Sequence, residues 1–305
     1  MTGPGPAPSS RQLPDALAQL AAPPIFVVGA HRSGTTWVFD MLAAHPEVAG
    51  VFESGLFAGD LGIASLFHPG HWYDPETQAS DQDFFGRAFR LPQLVSREQL
   101  AADVRDLTAS WLATSLEPQT RFLVEKTPQH AEVIPVLGEV FPGATVVNVI
   151  RDGRDVIVSG LEAQRGWQGG GRVRKVSVPV MARRWAHLIR AARHGASISE
   201  VKYTEVRFEN LHANPGSIAD TFEVCGIPAT PELIASIVTS NDFKAQGSTG
   251  SDAFRRSGRV GDWKGYLGPR ARLQIERAAG ETLRELGYEA GPGWWLKPRA
   301  RGAGE

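Results

Sequence analysis

The chain has 305 residues, and its 32 basic and 33 acidic side chains leave a formal net charge of −1. This balance excludes the strong global field that attracts nucleic acid or an anionic membrane, and we expect neither as a partner. The single cysteine, Cys225, excludes an internal disulfide and a four-cysteine zinc site. No apolar stretch is long enough to span a bilayer, and no cluster of ligating side chains has zinc spacing. We therefore expect a cytoplasmic protein without a metal, and the oligomeric state stays open.

The first residues, 1–23, are dense in Pro, Gly, Ala and Ser, and we predict that they form a disordered lead. Residues 24–290 are expected to form one domain, with residues 291–305 as a C-terminal tail. A domain of this size buries roughly three quarters of its unfolded surface, so the chain is long enough for a large core.

The next segment, residues 25–37, reads IFVVGAHRSGTTW and runs into the helical pattern VFDMLAA. It predicts a strand, a tight loop and a helix N-terminus, which together form a cradle for a phosphate or sulfate group. Gly29 and Gly34 let the backbone approach such an anion. A nucleoside-triphosphate loop carries Lys after its second Gly, whereas Thr35 stands here and the cation comes earlier, at Arg32. An ordinary nucleoside-triphosphate site is the alternative at this point.

Beyond this loop, β-branched strand patterns alternate with helical periodicity. Strands are predicted at residues 47–52, 121–125, 144–150 and 200–208. Helices are predicted at residues 38–44, 97–115, 132–141, 155–164, 177–194, 211–225, 231–240 and 269–286. The alternation predicts the α/β class, a single domain with a central parallel sheet flanked by helices. Residues 54–92 are irregular and aromatic, which fits either a lid that walls an acceptor pocket or short helices packed on the sheet.

A second motif, VIRDGRDVIVS at residues 149–159, begins where a buried strand ends and a helix starts. Ligands bind at that end of the strands in doubly wound sheets. Arg151 is therefore placed for a phosphate, and Ser159 can offer it a hydroxyl from the helix. Arg154 and Asp155 are expected to form surface ion pairs or to support the site.

A third motif, RRSGRVGDWK at residues 255–264, lies in a basic segment that is predicted to be loop-like. A loop with three arginines is also compatible with a solvated basic segment. That interpretation leaves the Gly-Asp-Trp-Lys sequence at its end unexplained.

The three motifs, in this order, resemble those of the sulfotransferases that use 3′-phosphoadenosine 5′-phosphosulfate (PAPS), which have a P-loop-like fold. The resemblance covers about four fifths of the chain and has features of both the tyrosylprotein and the cytosolic enzymes. It implies that one nucleotide is bound by segments from both ends of a single domain. The implied donor-binding residues are Arg32, Ser33, Gly34, Thr35, Thr36, Trp37, Arg151, Ser159, Phe208, Arg256, Ser257 and Gly258.

Within this set, the resemblance assigns the loop residues and Arg32 to the 5′-phosphate and the sulfuryl oxygens. Arg151 and Ser159 match the family's ligands of the 3′-phosphate. Trp37 and Phe208 match aromatic positions that face adenine; a core position is the alternative for Trp37. Ser257 stands where cytosolic members have Lys, so one cation is missing from the final loop.

The resemblance also implies catalytic groups, with Arg32 among them. Lys126, in VEKTP, matches a lysine near the bridging oxygen. Glu53 follows Arg32 by 21 residues, the spacing at which tyrosylprotein sulfotransferases place their catalytic carboxylate. His130 is a second candidate base, or else a residue in the first turn of the next helix, and His31 is placed to touch the acceptor.

These residues predict transfer of a sulfuryl group from PAPS to a hydroxyl, or an amine, without a metal. Residues 54–111 and 166–175 are expected to wall the acceptor pocket, and their aromatic content favours a largely apolar small molecule, while a peptide tyrosine or a sugar stays open. The alternatives are a P-loop small-molecule kinase, which the missing lysine disfavours, and a non-catalytic nucleotide-binding protein.

Overall fold

The structure is a computed structural model that describes residues 17–59, 62–68, 94–166, 175–241 and 258–296. At its centre lies a parallel five-stranded sheet in the order β2-β3-β1-β4-β5. The strands are β1 Ile25–Gly29, β2 Val48–Phe52, β3 Phe122–Lys126, β4 Thr145–Ile150 and β5 Lys202–Arg207. The α/β class with a parallel sheet, predicted from the sequence, is confirmed.

Ten helices are described. They are α1 Thr35–Ala43, α2 Arg97–Leu112, α3 Ile134–Val140, α4 Gly153–Gly166, α5 Val178–Ser197, α6 Phe208–Ala213, α7 Ile218–Val224, α8 Pro231–Ser240, α9 Trp263–Tyr266 and α10 Pro269–Glu285. Short 3₁₀ turns lie at Ile63–Phe67, Ala113–Ser115, Pro128–Glu132, Pro215–Ser217 and Trp294–Leu296. Within the described ranges, no helix is both long and apolar enough to cross a bilayer.

The sheet has a hydrophobic layer on each face, because successive side chains of a strand point to opposite sides. On β1, Phe26 and Val28 join a cluster with α2, α3, α5 and α10. Ile25 and Val27 join a second cluster with α1, α6, α7 and α8. The three central strands β1, β3 and β4 are buried throughout, as their continuous apolar runs predict. Helices therefore cover both faces, and the strand ends are left as the place for a ligand.

The strand order reverses direction at β1. The chain leaves β1 toward β2 and β3 on one side of the sheet, and continues to β4 and β5 on the other. In such sheets the crevice at the carboxyl ends, where the order reverses, is the usual binding site. The loop after β1 and the residues after β4 therefore meet at this crevice.

Two predicted segments differ from the structure. The single helix predicted at residues 211–225 is wrong: α6 already begins at Phe208 and ends before Pro215, and α7 follows a 3₁₀ turn. Proline has no N–H to donate and interrupts a continuous helix. Within the predicted loop at 241–267, the short helix α9 forms.

The described parts of two irregular segments pack on the domain. Leu17 and Leu20, at the end of the predicted disordered lead, contact the larger core cluster. Phe57 and Phe67, from the aromatic segment, are buried in the same cluster. Residues 69–93, which hold the rest of the predicted lid, lie outside the described residues, so the lid stays a prediction.

Candidate functional site

The loop after β1 turns sharply at two left-handed residues, Arg32 with φ 72° and Gly34 with φ 101°. The Ser33 N–H donates to the carbonyl of Ala30 at 3.1 Å and closes the turn. Helix α1 then starts at Thr35 without a side-chain cap, so its first N–H groups point toward the crevice. The predicted strand, tight loop and helix start therefore form, with Ser33, Gly34, Thr35 and Thr36 at the start of a nine-residue helix, a geometry suited to an anion.

Arg151 connects all three sequence motifs. Its guanidinium donates one hydrogen bond to the carbonyl of Arg32 and one to the carbonyl of Arg259, both at 3.1 Å. The Arg32 Nε donates to the Ser159 hydroxyl at 3.0 Å. Gly258, which precedes Arg259 in the chain, is buried. Arg256 and Ser257 lie outside the described residues, and their part in the site stays a prediction.

Two polar atoms of this site are buried without a hydrogen-bond partner, the Ser33 hydroxyl oxygen and the Arg151 Nε. Nearly all buried polar groups in folded proteins are paired, so such exceptions require a physical explanation. Burial also lowers the pKa of Arg151, and burial and then repulsion from Arg151 lower the pKa of Arg32. A bound anion between the two guanidinium groups would relieve both the missing bonds and the repulsion. The residues present fit a phosphate-bearing ligand.

Arg154 and Asp155, in the first turn of α4, contact residues of the third motif and hold it in place. Both side chains are almost fully buried, so the expectation of ion pairs on the surface is wrong. The alternative expectation, that they support the site, agrees with their contacts. The Asp155 carboxylate accepts hydrogen bonds from the N–H groups of Gly261 and Trp263, at 2.7 and 2.9 Å. Arg154 pairs with Asp152 at 2.7 Å and lies 3.9 Å from the centre of the Trp263 ring. The Gly-Asp-Trp-Lys sequence is thereby attached to the start of α4.

The rings of Trp37 and Phe208 pack beneath the loop, 5.7 Å apart. Trp37 donates its indole N–H to the carbonyl of Asn241 at 3.0 Å. Phe208 is 1% exposed, and the Arg151 guanidinium lies 4.3 Å from its ring centre. These are the contacts of core rings, so stacking on adenine stays a prediction for both.

Lys126 and Glu53 form an ion pair of 2.6 Å between Nζ and Oε1. The lysine side chain is fully buried, while the carboxylate side chain is 48% exposed. The Lys126 Nζ also lies 3.5 Å from the centre of the Phe52 ring. Burial lowers the pKa of Lys126, whereas the hydrogen bond and charge of Glu53 raise it. The sequence proposed each residue separately, and the structure brings the two predicted catalytic groups together.

Glu53 has a left-handed backbone, with φ 48°, and its N–H donates to the carbonyl of Lys126 at 2.7 Å. A non-glycine residue in this region is uncommon, and such strain concentrates at functional sites. His31 belongs to the same cluster. Burial of its ring lowers its pKa, while the charge of Glu53 raises it and those of Arg184, Lys126 and Arg32 lower it.

His130 occupies a different environment from the one expected of a catalytic base. Its ring is fully buried, with Nδ1 3.0 Å from the Glu125 carboxylate. Its Nε2 accepts the N–H of Phe57 at 3.3 Å. Both ring nitrogens therefore face protein atoms. This environment favours a structural role for His130, in the turn at Pro128–Glu132 that precedes helix α3, and its role as a second candidate base stays a prediction.

Sequence reasoning missed the polar residues that hold the site together. Glu209 accepts the N–H of Asp152 at 2.8 Å and the hydroxyl of Tyr288 at 2.9 Å. Glu125 accepts hydrogen bonds from Ser54. In the sequence, the one sign of such a residue was a charged side chain, Glu125, directly after the apolar run of a predicted strand. Among the described residues, no group of three His, Cys, Asp or Glu side chains could hold a metal ion.

The sequence and the fold of this chain are similar to those of known sulfotransferases. The model of the sulfotransferase family matches residues 23–231. The protein-tyrosine sulfotransferase of Drosophila melanogaster is 29% identical over 138 residues, which are 45% of this chain. That alignment covers 25% of the Drosophila protein, so the similarity concerns a part of that protein only.

Two solved structures have a similar fold. Mouse sulfotransferase SULT7A1, complexed with PAP, aligns with a TM-score of 0.53 over 90% of this chain and 91% of its own, at 15% identity. Sulfotransferase STF9 from Mycobacterium avium aligns with a TM-score of 0.51 over 94% of this chain and 81% of its own, at 13% identity. At these identities the likeness shows the fold alone. The family match extends over more than half of the residues, from before β1 to the start of α8, and this chain belongs to the sulfotransferase family.

Proposed function

We propose that this protein transfers a sulfuryl group from PAPS to a hydroxyl or amine of an acceptor. The observation that carries the proposal is the convergence of Arg32, Arg151 and Ser159, with two unpaired buried donors, at the reversal point of the sheet. The donor supplies a sulfuryl group attached to its 5′-phosphate. The complex of mouse SULT7A1 with PAP supports this choice of nucleotide.

In this proposal the N–H groups at the start of α1 and the Arg32 guanidinium bind the 5′-phosphate and the sulfuryl oxygens. Arg151 and Ser159 bind the 3′-phosphate, and the loop at residues 256–258 covers it. Charges held in a site of low dielectric stabilise a charged transition state more strongly than water does. Positioning and electrostatics are the main catalytic contributions in the related phosphoryl transfer.

The Lys126–Glu53 pair is proposed to carry the chemistry. Glu53, on the exposed side, would accept the proton of the acceptor as the new bond to sulfur forms. Lys126, on the buried side, would stabilise the negative charge on the bridging oxygen as the bond between sulfur and that oxygen breaks. In the structure the two groups contact each other, so the Glu53 carboxylate compensates the charge of the buried Lys126 ammonium.

Nucleotide binding tests the first half of the proposal. Calorimetry should show that adenosine 3′,5′-bisphosphate (PAP) binds without magnesium, and that Arg151→Ala weakens the affinity about 10- to 100-fold, because a charge-assisted hydrogen bond contributes about 1.5–3 kcal/mol. Arg193→Ala, which removes a surface arginine paired with Glu205, is the matched control and should bind PAP normally. Absence of PAP binding, together with tight binding of ATP and magnesium, would indicate a kinase instead.

Turnover tests the second half. Glu53→Gln and Lys126→Ala should each lower the rate of PAP release from PAPS far more than the affinity for PAP. The acceptor panel should contain phenols, sugars, lipids and a tyrosine peptide, the last because the Drosophila relative is a protein-tyrosine sulfotransferase. PAP binding with no transfer to any acceptor, water included, would favour a non-catalytic nucleotide-binding protein.

A further inference from the structure

The Glu125 carboxylate is fully buried on β3, one residue before Lys126. Its Oε1 accepts three hydrogen bonds: from the Ser54 N–H at 3.2 Å, the Ser54 hydroxyl at 2.7 Å and the Thr127 hydroxyl at 2.6 Å. Its Oε2 lies 3.0 Å from His130 Nδ1. Since neighbouring side chains on a strand point to opposite faces, Glu125 cannot itself reach the cluster around Lys126. The mechanism above leaves this buried charge without a function.

The contacts of His130 define where its proton is. The Phe57 N–H donates to Nε2, so that nitrogen carries a lone pair and the ring proton resides on Nδ1, which lies 3.0 Å from Glu125 Oε2. Burial raises the pKa of Glu125, but the hydrogen bonds from His130, Thr127 and Ser54 together bring it below its ordinary value. Glu125 is therefore an ionised carboxylate that is surrounded by donors.

One of these donors, Ser54, directly follows Glu53 in the chain. On its N-terminal side, Glu53 is tied to β3 by its own N–H bond to Lys126. On its C-terminal side, Ser54 bonds to Glu125, and the Gly55 N–H donates to the Thr127 hydroxyl at 3.1 Å. The strained backbone of Glu53 is thus fixed on both sides by residues of a single segment, 125–130.

We propose that Glu125 is a positioning residue: its buried carboxylate fastens the turn after β2 so that the carboxylate of Glu53 stays beside the ammonium of Lys126. The inference rests on the proposed function, because it assigns Glu53 and Lys126 to one reaction. The three hydrogen bonds to Oε1 hold the carboxylate against Ser54 and Thr127, and buried hydrogen bonds of this kind make the segments that they join rigid. Loss of the network would let the turn relax and displace the reacting carboxylate.

The first test is Glu125→Gln. The glutamine amide would place an NH₂ group against the His130 Nδ1–H or the Ser54 donors, so at least one bond is lost. We expect PAP release from PAPS, measured with the best acceptor of the panel or with water, to fall about 10- to 100-fold, the cost of a misplaced catalytic group. The Kd for PAP should stay within twofold. The control is Glu139→Gln on α3, which removes a carboxylate that pairs with Arg97 of α2. It should change neither the rate of PAP release nor the Kd.

The pH profile separates positioning from simple loss of stability. Burial lowers the pKa of Lys126, while the hydrogen bond and charge of Glu53, and then the charges of Asp40 and Glu125, raise it. In Glu125→Gln a relaxed turn removes the contact with Glu53 as well as the charge of Glu125, so the basic limb of the kcat profile should move to lower pH. Ser54→Ala keeps that charge while it removes one bond to the carboxylate. This variant should lower kcat and also move the limb to lower pH, because a relaxed turn takes Glu53 away from Lys126, whereas a simple loss of stability leaves the limb in place. It decides the matter if Glu125→Gln does not fold.

Wild-type turnover in folded Glu125→Gln or Ser54→Ala would overturn this inference and leave the proposed function intact. A parallel loss of PAP affinity and turnover would also overturn it, because the network would then act on the whole site. A wild-type protein that releases no PAP under any condition would overturn the proposed function, and the positioning role with it.

Discussion

Gly34 offers a quantitative test of how closely the loop packs on the core. Its φ of 101° is left-handed, and a Cβ at this position would lie 2.5 Å from Phe208 Cδ2 and 3.1 Å from Cε2. The ring is 1% exposed and packs against Trp37, so it has no room to move away. Left-handed strain costs a non-glycine residue about 1–2 kcal/mol. Overpacking of a buried ring adds about 1–3 kcal/mol, so Gly34→Ala should cost about 2–5 kcal/mol.

The assay is urea unfolding of the apoprotein, with the free energy of unfolding as the measured quantity. Gly226→Ala is the matched control, because Gly226 has φ +69° but nothing within 4 Å of an added Cβ. It should lose only the strain of about 1–2 kcal/mol. Gly34→Ala should also weaken PAP binding, since the start of α1 would shift.

The same substitution made in the Phe208→Leu variant isolates the contact between the new methyl group and the ring. In Phe208→Leu the ring carbons that the new methyl group would meet are gone, so Gly34→Ala should cost less there than in the wild type. Equal losses in Gly34→Ala and Gly226→Ala, with no coupling to position 208, would refute the packing argument.

Three further predictions concern buried groups. Arg154→Met should lower the free energy of unfolding by about 3–5 kcal/mol, because Asp152 and Glu289 lose their shared cation; a loss under about 1 kcal/mol in urea unfolding would contradict this. Burial raises the pKa of Cys225 to about 12, so iodoacetamide at pH 8 should label the native protein far more slowly than the unfolded chain, and equal rates would refute its burial. Burial raises the pKa of Asp155 from 3.8 to about 6, so the folded state binds this proton more tightly than the unfolded chain does. Its contribution to stability is full below about pH 4 and declines by roughly 3 kcal/mol as pH rises through 6. Asp155→Asn should remove this part of the pH dependence of unfolding, and an unchanged curve would contradict the shift.

The predicted elements followed from local patterns that the fold preserves. The β-branched run of β4 and the apolar run of β1 are buried on both faces, as the sequence indicates for central parallel strands. The break at Pro215 was visible in the sequence as well, but apolar spacing on both sides of it favoured one helix. The phosphate loop was predictable because its strand, glycines and helix start are contiguous.

The proposed catalytic pair and its support were predictable only in part. Glu53 and Lys126 were each identified by resemblance, but their contact depends on the pairing of Phe52 with Lys126 in neighbouring strands. His130 was assigned by its distance along the chain from Lys126. The structure places it in the core with Glu125, because the 3₁₀ turn after β3 directs its ring inward.

The sequence by itself determined the class of fold, the order of its strands and helices along the chain, and the three segments with phosphate-binding composition. These properties depend on short-range periodicity and on residue chemistry. Only the tertiary structure decided that Arg32, Arg151 and Arg259 meet at one crevice, and that Glu53 contacts Lys126. Those contacts join residues up to 119 positions apart in the sequence, and the order of the strands in the sheet, which no local pattern encodes, brings them together.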